Sequence, residues 1–158
     1  MSDNIRIWVE ISHSTAYRSG GWAFVRAEGR ALSGAAGGER TASPDAIALA
    51  GLLAALKDLP PGASVEVLSA TPRIAGAGRR VAALDAGGEA PAQDLALWAQ
   101  LSAALLARPV RFSVTPNQPR TPPAFAAAWA ELARDKAKTS PFRAAIPKAN
   151  LAKAGVPA

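Results

Sequence analysis

Glu10 has a setting suited to metal-assisted chemistry, because it closes a stretch in which Ile5, Ile7 and Val9 alternate with other residues, the period-two pattern of a half-buried strand. A carboxylate at such a strand end can hold a hard divalent cation. Asp45 is a second candidate acid, three residues before Ala48 in a predicted helix, where an acid in the first turn is also favourable to the helix dipole. Other chemistries have less to work with. The chain has no Cys and a single His, His13, so a cysteine nucleophile and a Cys/His zinc site are excluded, and a Ser-His-Asp arrangement has to use a histidine expected to be exposed in a polar loop. Gly76-Ala77-Gly78-Arg79-Arg80-Val81 has Val81 in place of the third glycine of a dinucleotide fingerprint, and no cofactor is expected.

Three antiparallel strands are predicted at residues 5–11, 21–28 and 31–37, followed by a helix at 44–57 and a strand at 64–70. A short helical region, a helix at 93–107, a strand at 109–114 and a helix at 122–137 complete the pattern. Leu49, Leu52, Leu53 and Leu56 form the apolar stripe of a helix that packs on a sheet. Ser43 can cap that helix and Pro44 is tolerated in its first turn. The fold class is α/β, a mixed five-stranded sheet flanked by helices. Trp22, Trp98 and Trp129 read as packing residues, whereas Trp8 alternates opposite the apolar set and is expected to be more exposed.

The order of motifs resembles the ribonuclease H family over residues 5 to 136. Glu10, Ser12, Gly20, Gly21 and Trp22 follow its first strand, loop and second strand, with Ile11 in place of a glycine. Val65 to Thr71 resembles its active-site strand, Asp94-Leu95-Ala96-Leu97-Trp98 a later helix, and Trp129-Ala130-Glu131-Leu132-Ala133 its last helix. The resemblance implies a ribonuclease H-like fold and four metal-binding acids. Glu10 alone remains at such a position. Ala48, Ala70 and Ala130 stand at the other three, and the 22 positions separating Ala48 from Ala70 match the family's count.

Two magnesium ions about 4 Å apart repel by roughly 17 kcal/mol at an effective dielectric of about 20, so several carboxylates must neutralise them. Glu10 offers one. Glu131 is rotated by ~100° from Ala130, and Glu66 lies about 13 Å along the strand from Ala70. No metal is expected, and no catalytic residue.

Charge is unevenly distributed. Of 18 Lys and Arg and 12 Asp and Glu, residues 134–158 hold six and one, or +5, which leaves +1 for residues 1–133. Residues 139–158, with Pro141, Pro147 and Pro157, read as a basic C-terminal tail appended to a domain at 1–138. Phe142 and Ile146 can dock this tail on the domain or on a partner. Candidate nucleic-acid contacts are Ser12, Arg18, Ser43, Arg73, Arg79, Arg80, Lys136, Lys138, Arg143 and Lys148, with Tyr17 able to stack on a base.

No apolar run approaches the ~20 residues of a membrane span, and Met1 to Asn4 lacks a signal peptide's basic and apolar regions. A cytoplasmic location without membrane partners is expected. The first functional expectation is a catalytically inactive ribonuclease H-like protein that binds nucleic acid, an RNA/DNA hybrid or a duplex. Its alternatives are a protein-interaction module acting through the old cleft or the tail, and a weak residual ribonuclease H using Glu10 and Asp45.

Overall fold

The computed structural model describes residues 4–157. Its strands are β1 (Asn4–Ser14), β2 (Ser19–Glu28), β3 (Ala31–Arg40), β4 (Ser64–Ser69), β5 (Val110–Val114) and β6 (Phe142–Ala145). They form one mixed sheet in the order β5-β4-β1-β2-β3-β6. β1, β2, β3 and β6 pair antiparallel in that order, while β4 runs parallel to β1 and β5 parallel to β4. The helices are α1 (Pro44–Ala55), α2 (Pro72–Ala75), α3 (Ala77–Asp85), α4 (Leu95–Leu106), α5 (Pro122–Lys136) and α6 (Lys148–Leu151).

Alternation along β1 separates the two faces of the sheet. Ile5, Ile7 and Val9 belong to the larger core, shared with Ile47, Leu49 and Leu52 of α1, Ile74 of α2, Val81 of α3, and Trp98 and Leu101 of α4. Ser43 accepts the Ala46 N–H at 3.0 Å and begins α1 with Pro44 in its first turn, which closes a backbone donor that the helix itself leaves open. The opposite face is covered by α5 and the C-terminal segment. α5 lies against β2 and β3 with almost no side-chain layer between. A Cβ on Gly21 would overlap the Ala130 carbonyl oxygen and the Arg134 nitrogen, and one on Gly38 would overlap the Ala133 carbonyl oxygen. Only glycine leaves room for the helix backbone at these two positions.

Two expectations about the sheet and its core need correction. The sheet has six strands, not five, because Phe142–Ala145 pairs with Gly38–Ala35 along the outer edge of β3. Trp8 is buried rather than exposed, covered by a second core that includes Val25, Ala27, Ile146, Leu151 and Ala154. Both corrections have one cause. The chain after Thr139 continues into the fold: Ile146 N–H bonds to the Gly34 carbonyl at 2.9 Å, and Arg6 donates to the Pro157 carbonyl at 2.9 Å. A four-residue strand between prolines carries little pattern of its own, and its pairing depends on an edge 100 residues earlier in the chain. No helix among the described residues is long and apolar enough to cross a membrane.

Candidate functional site

Glu10 lies on the α5 side of β1, opposite Ala23 of β2, and is only 3% exposed. Its carboxylate is enclosed by the turn from β4 into α2. Ser69 Oγ donates to Oε1 at 3.1 Å, Thr71 Oγ1 donates to Oε1 at 2.6 Å, and the Ala70 N–H donates to Oε2 at 2.8 Å. Ser69 Oγ also accepts the Thr71 N–H at 3.0 Å. Burial pushes the Glu10 carboxyl above its usual value, against the pull of these three bonds. No Lys or Arg pairs with it among the described residues. The sequence does not single out Ser69 and Thr71; their position on either side of Ala70 is the only signal for them.

Ala48 is buried in the α1 core, and Ala130 is fully buried where α5 meets β2. Arg134, one turn beyond Ala130, donates to Ser12 Oγ at 2.8 Å and pairs with Asp135 at 3.1 Å. A guanidinium therefore stands beside the end of β1. Ser12 is already a hydrogen-bond acceptor within the protein.

Asp45 is not simply solvated. Arg80 holds it through both carboxylate oxygens at 3.1 Å, and Arg73 pairs with it as well. The Arg80 hydrogen bonds, reinforced by Arg73, keep the Asp45 carboxyl below its usual value. Arg80 also lies 4.4 Å from the centre of the Trp98 ring. Arg73 and Arg80 thus clamp α2 and α3 onto the start of α1, and Arg79 is left exposed beside them. Ser43 caps α1 and donates to Asp94 at 3.0 Å. His13 lies within β1, paired with Gly20, with Nε2 at 2.8 Å from the Ala42 carbonyl oxygen. It is half-buried, not an exposed loop residue.

The remaining candidate cations divide into two places. Lys138 lies 4.3 Å from the centre of the Tyr17 ring, which is 63% exposed, and Arg18 is the next residue in the same β1–β2 turn. Arg40 faces Ser19 across the β2–β3 ladder and donates to the Thr139 carbonyl at 3.4 Å. Lys136 lies over Phe142, and Arg143, opposite Gly37, lies over Trp22. Arg18, Arg40, Lys136, Lys138 and Arg143 therefore lie toward the end of the sheet at which β1 finishes and β2 begins, with Lys136 beside Phe142 on the α5 face and Arg143 beside Trp22 on the α1 face. Lys148 does not join them, because β6 runs away from that end and α6 starts beyond Gly34. The basic C-terminal stretch is thus not one arm, and Arg40 is a member that the sequence reading missed. Its only sequence signal is its place at the end of β3.

Among the described residues no group of three or more His, Cys, Asp or Glu could hold a metal ion. The two acids nearest the site are each occupied by donors of their own chain.

This sheet order, with helices on both faces, is the ribonuclease H-like fold. Two similar solved structures are LC9-RNase H1, described as a type 1 RNase H with the type 2 active-site motif, and the N-terminal RNase H domain of Rv2228c from Mycobacterium tuberculosis. The first is 13% identical with a TM-score of 0.71, and the match covers 98% of this chain and 86% of that one. The second is 19% identical with a TM-score of 0.60, covering 87% and 98%. No protein-family model matches the chain, and no curated protein matches it in sequence.

Proposed function

We propose that this protein is a catalytically inactive ribonuclease H-like domain that binds nucleic acid, an RNA/DNA hybrid or a duplex, without a metal. The observation that carries the reading is the closure of Glu10 by Ser69, Ala70 and Thr71. A buried carboxylate that already accepts three of the roughly four hydrogen bonds it can take has to lose some of them to turn toward a cation. Asp45 faces the same obstacle in Arg73 and Arg80, which weighs against a residual one-metal nuclease. The residues present do not fit a catalytic metal pair.

The gathered cations support the binding half of the proposal. Phosphate contacts are electrostatic and sequence-independent, and each adds to the loss of affinity with salt. Lys136, Lys138, Arg143 and Arg18 offer such contacts, and exposed Tyr17 offers a face on which a base can stack. Arg134 adds positive charge beside Ser12, and the ion pairs of Arg134 and Lys138 with Asp135 reduce their contributions.

Fluorescence anisotropy with a labelled hybrid tests the reading, in EDTA and again with magnesium. The affinity should be the same in both, should fall steeply with salt, and should lose about 0.9 of its log–log salt slope for each phosphate-contacting cation replaced by Gln at Lys136, Lys138 or Arg143. Magnesium-dependent cleavage of the hybrid that Glu10→Gln abolishes would overturn the inactive assignment. Undetectable binding at low salt would overturn the nucleic-acid assignment and favour a protein-interaction module.

A further inference from the structure

The two edges of the sheet differ in a way that bears on self-association. β6 forms one edge, and the chain beyond it folds back over the α5 side of the sheet. β5 forms the other and, among the described residues, pairs only with β4. The Val65 N–H bonds to the Pro109 carbonyl at 3.0 Å and the Thr115 N–H to the Ser69 carbonyl at 3.0 Å. Backbone groups alternate along a strand, so residues 109, 111, 113 and 115 point toward β4, and the N–H and C=O of Val110, Phe112 and Val114 point outward. Among the described residues, none of these six outward groups has a hydrogen-bond partner.

Alternate side chains along this edge are apolar. Val114 is 77% exposed and Leu106 is 80% exposed. With Val81, Leu105 and Phe112 they line a groove of about 530 Å³ between α3, α4 and β5. Long exposed edges of this kind are normally blunted. Here Pro109 and Pro116 limit the strand to five residues but leave its centre free.

We infer that β5 is the contact surface for a second copy of this chain, joined antiparallel through a two-fold axis at Phe112. The register follows from the strand itself. With Phe112 opposite its own copy, Val110 faces Val114 of the second copy and Arg111 faces Ser113. All three outward-pointing residues then become hydrogen-bonded pairs, for about six backbone bonds. Exposed Val114 then meets half-buried Val110 of the second copy along the mouth of the groove.

Charges fit the same register. Arg111 and Ser113 both bond to Oε2 of Glu66, at 3.2 and 2.8 Å, and Oε1 has no partner among the described residues. Arg111 of the second copy comes to lie beside Ser113, so that each Glu66 carboxylate is flanked by two guanidinium groups. Arginines of the two copies are diagonal neighbours, about 7–8 Å apart, and do not face each other. The sequence of the edge is thus its own complement, which selects a second copy over an unrelated peptide. A five-residue edge is a small interface, so the dimer should form in a concentration-dependent manner between about 1 µM and 1 mM.

The absence of Cys makes the register directly testable. Arg111→Cys and Ser113→Cys are prepared singly and mixed under mild oxidation. Residues 111 and 113 of opposite copies have Cα atoms about 4.5 Å apart in this register, within disulfide reach, whereas two copies of residue 111 do not. Cross-linking several-fold greater in the mixture than in either variant alone is expected. Equal cross-linking in all three samples, or none, overturns the proposal. Sedimentation equilibrium of the unsubstituted chain should show reversible dimerisation that Val114→Lys removes, with the thermal unfolding of a dilute sample unchanged. A chain that remains monomeric at about 1 mM, or a Val114→Lys variant that still dimerises, overturns it equally.

Discussion

Around Glu10 and Asp45 the acids are closed by donors from their own chain, whereas at the outer end of α5 and β6 several cations rest on aromatic rings. Glu10 accepts three hydrogen bonds in a buried turn, and Asp45 takes two arginines. Lys136 and Arg143 lie over Phe142 and Trp22 with no acidic partner among the described residues. The difference teaches that availability of a charged group is decided by its nearest partner. An aromatic face attracts a cation without using up its donors, whereas three hydrogen bonds take most of the roughly four acceptor sites of a carboxylate.

The comparison rests first on the seating of α5, which carries Lys136 and presents Arg134 to β1. Gly21→Val should abolish folding or cost at least about 4 kcal/mol, because backbone atoms of the helix, not a flexible side chain, occupy the space. Urea denaturation measures it, and a loss below about 1 kcal/mol would mean that α5 sits farther from β2. Leu151→Ala should cost about 2–3 kcal/mol, toward the lower end for a buried leucine because the short α6 that carries it can settle into the space. If instead the last segment merely frays, calorimetry will find no change, and the basic end will lack the anchored frame described above.

Thr71→Val sharpens the acidic side. It removes a hydrogen bond to Glu10 and should cost about 1–2 kcal/mol. The pH dependence carries the sign. Burial raises the folded-state value of Glu10 above 4.5, so its contribution to stability is complete below about pH 4.5 and is lost as pH rises through the folded value. Loss of the Thr71 bond raises that value further, and the variant should be more damaged at pH 7 than at pH 4. Equal damage at both would show that Glu10 stays neutral throughout.

The smallest effect is expected at the Asp45 clamp. Asp45→Asn should cost less than about 1 kcal/mol, since both arginines are more than one-third exposed and water screens the pairs. Asp45 is held below its usual value of 3.8. Its stabilisation is therefore present above that pH and disappears as pH falls through the folded value, so wild type and variant should converge in acid. Parallel curves to pH 2 would remove the clamp from the account.

Much of the scaffold is legible in residue pattern. The alternation of Ile5, Ile7 and Val9 and the Leu49–Leu52–Leu56 stripe with Ser43 and Pro44 before it identify their elements because period and capping are local properties. The site is less legible. Ser69 and Thr71 are unremarkable until the β4–α2 turn folds them around Glu10, and Arg73 and Arg80 read as free cations until Asp45 is brought to them.

By itself the sequence determined the α/β pattern, the alanines at positions 48, 70 and 130, and the excess of positive charge after residue 133. Tertiary structure decided that β6 is a strand, that Trp8 is buried, which cations share the Glu10 end and which do not, and that β5 remains open. The physical reason is range. Periodicity and composition are set by near neighbours in the chain, whereas pairing along a sheet edge and the partner of each charge depend on residues tens of positions away.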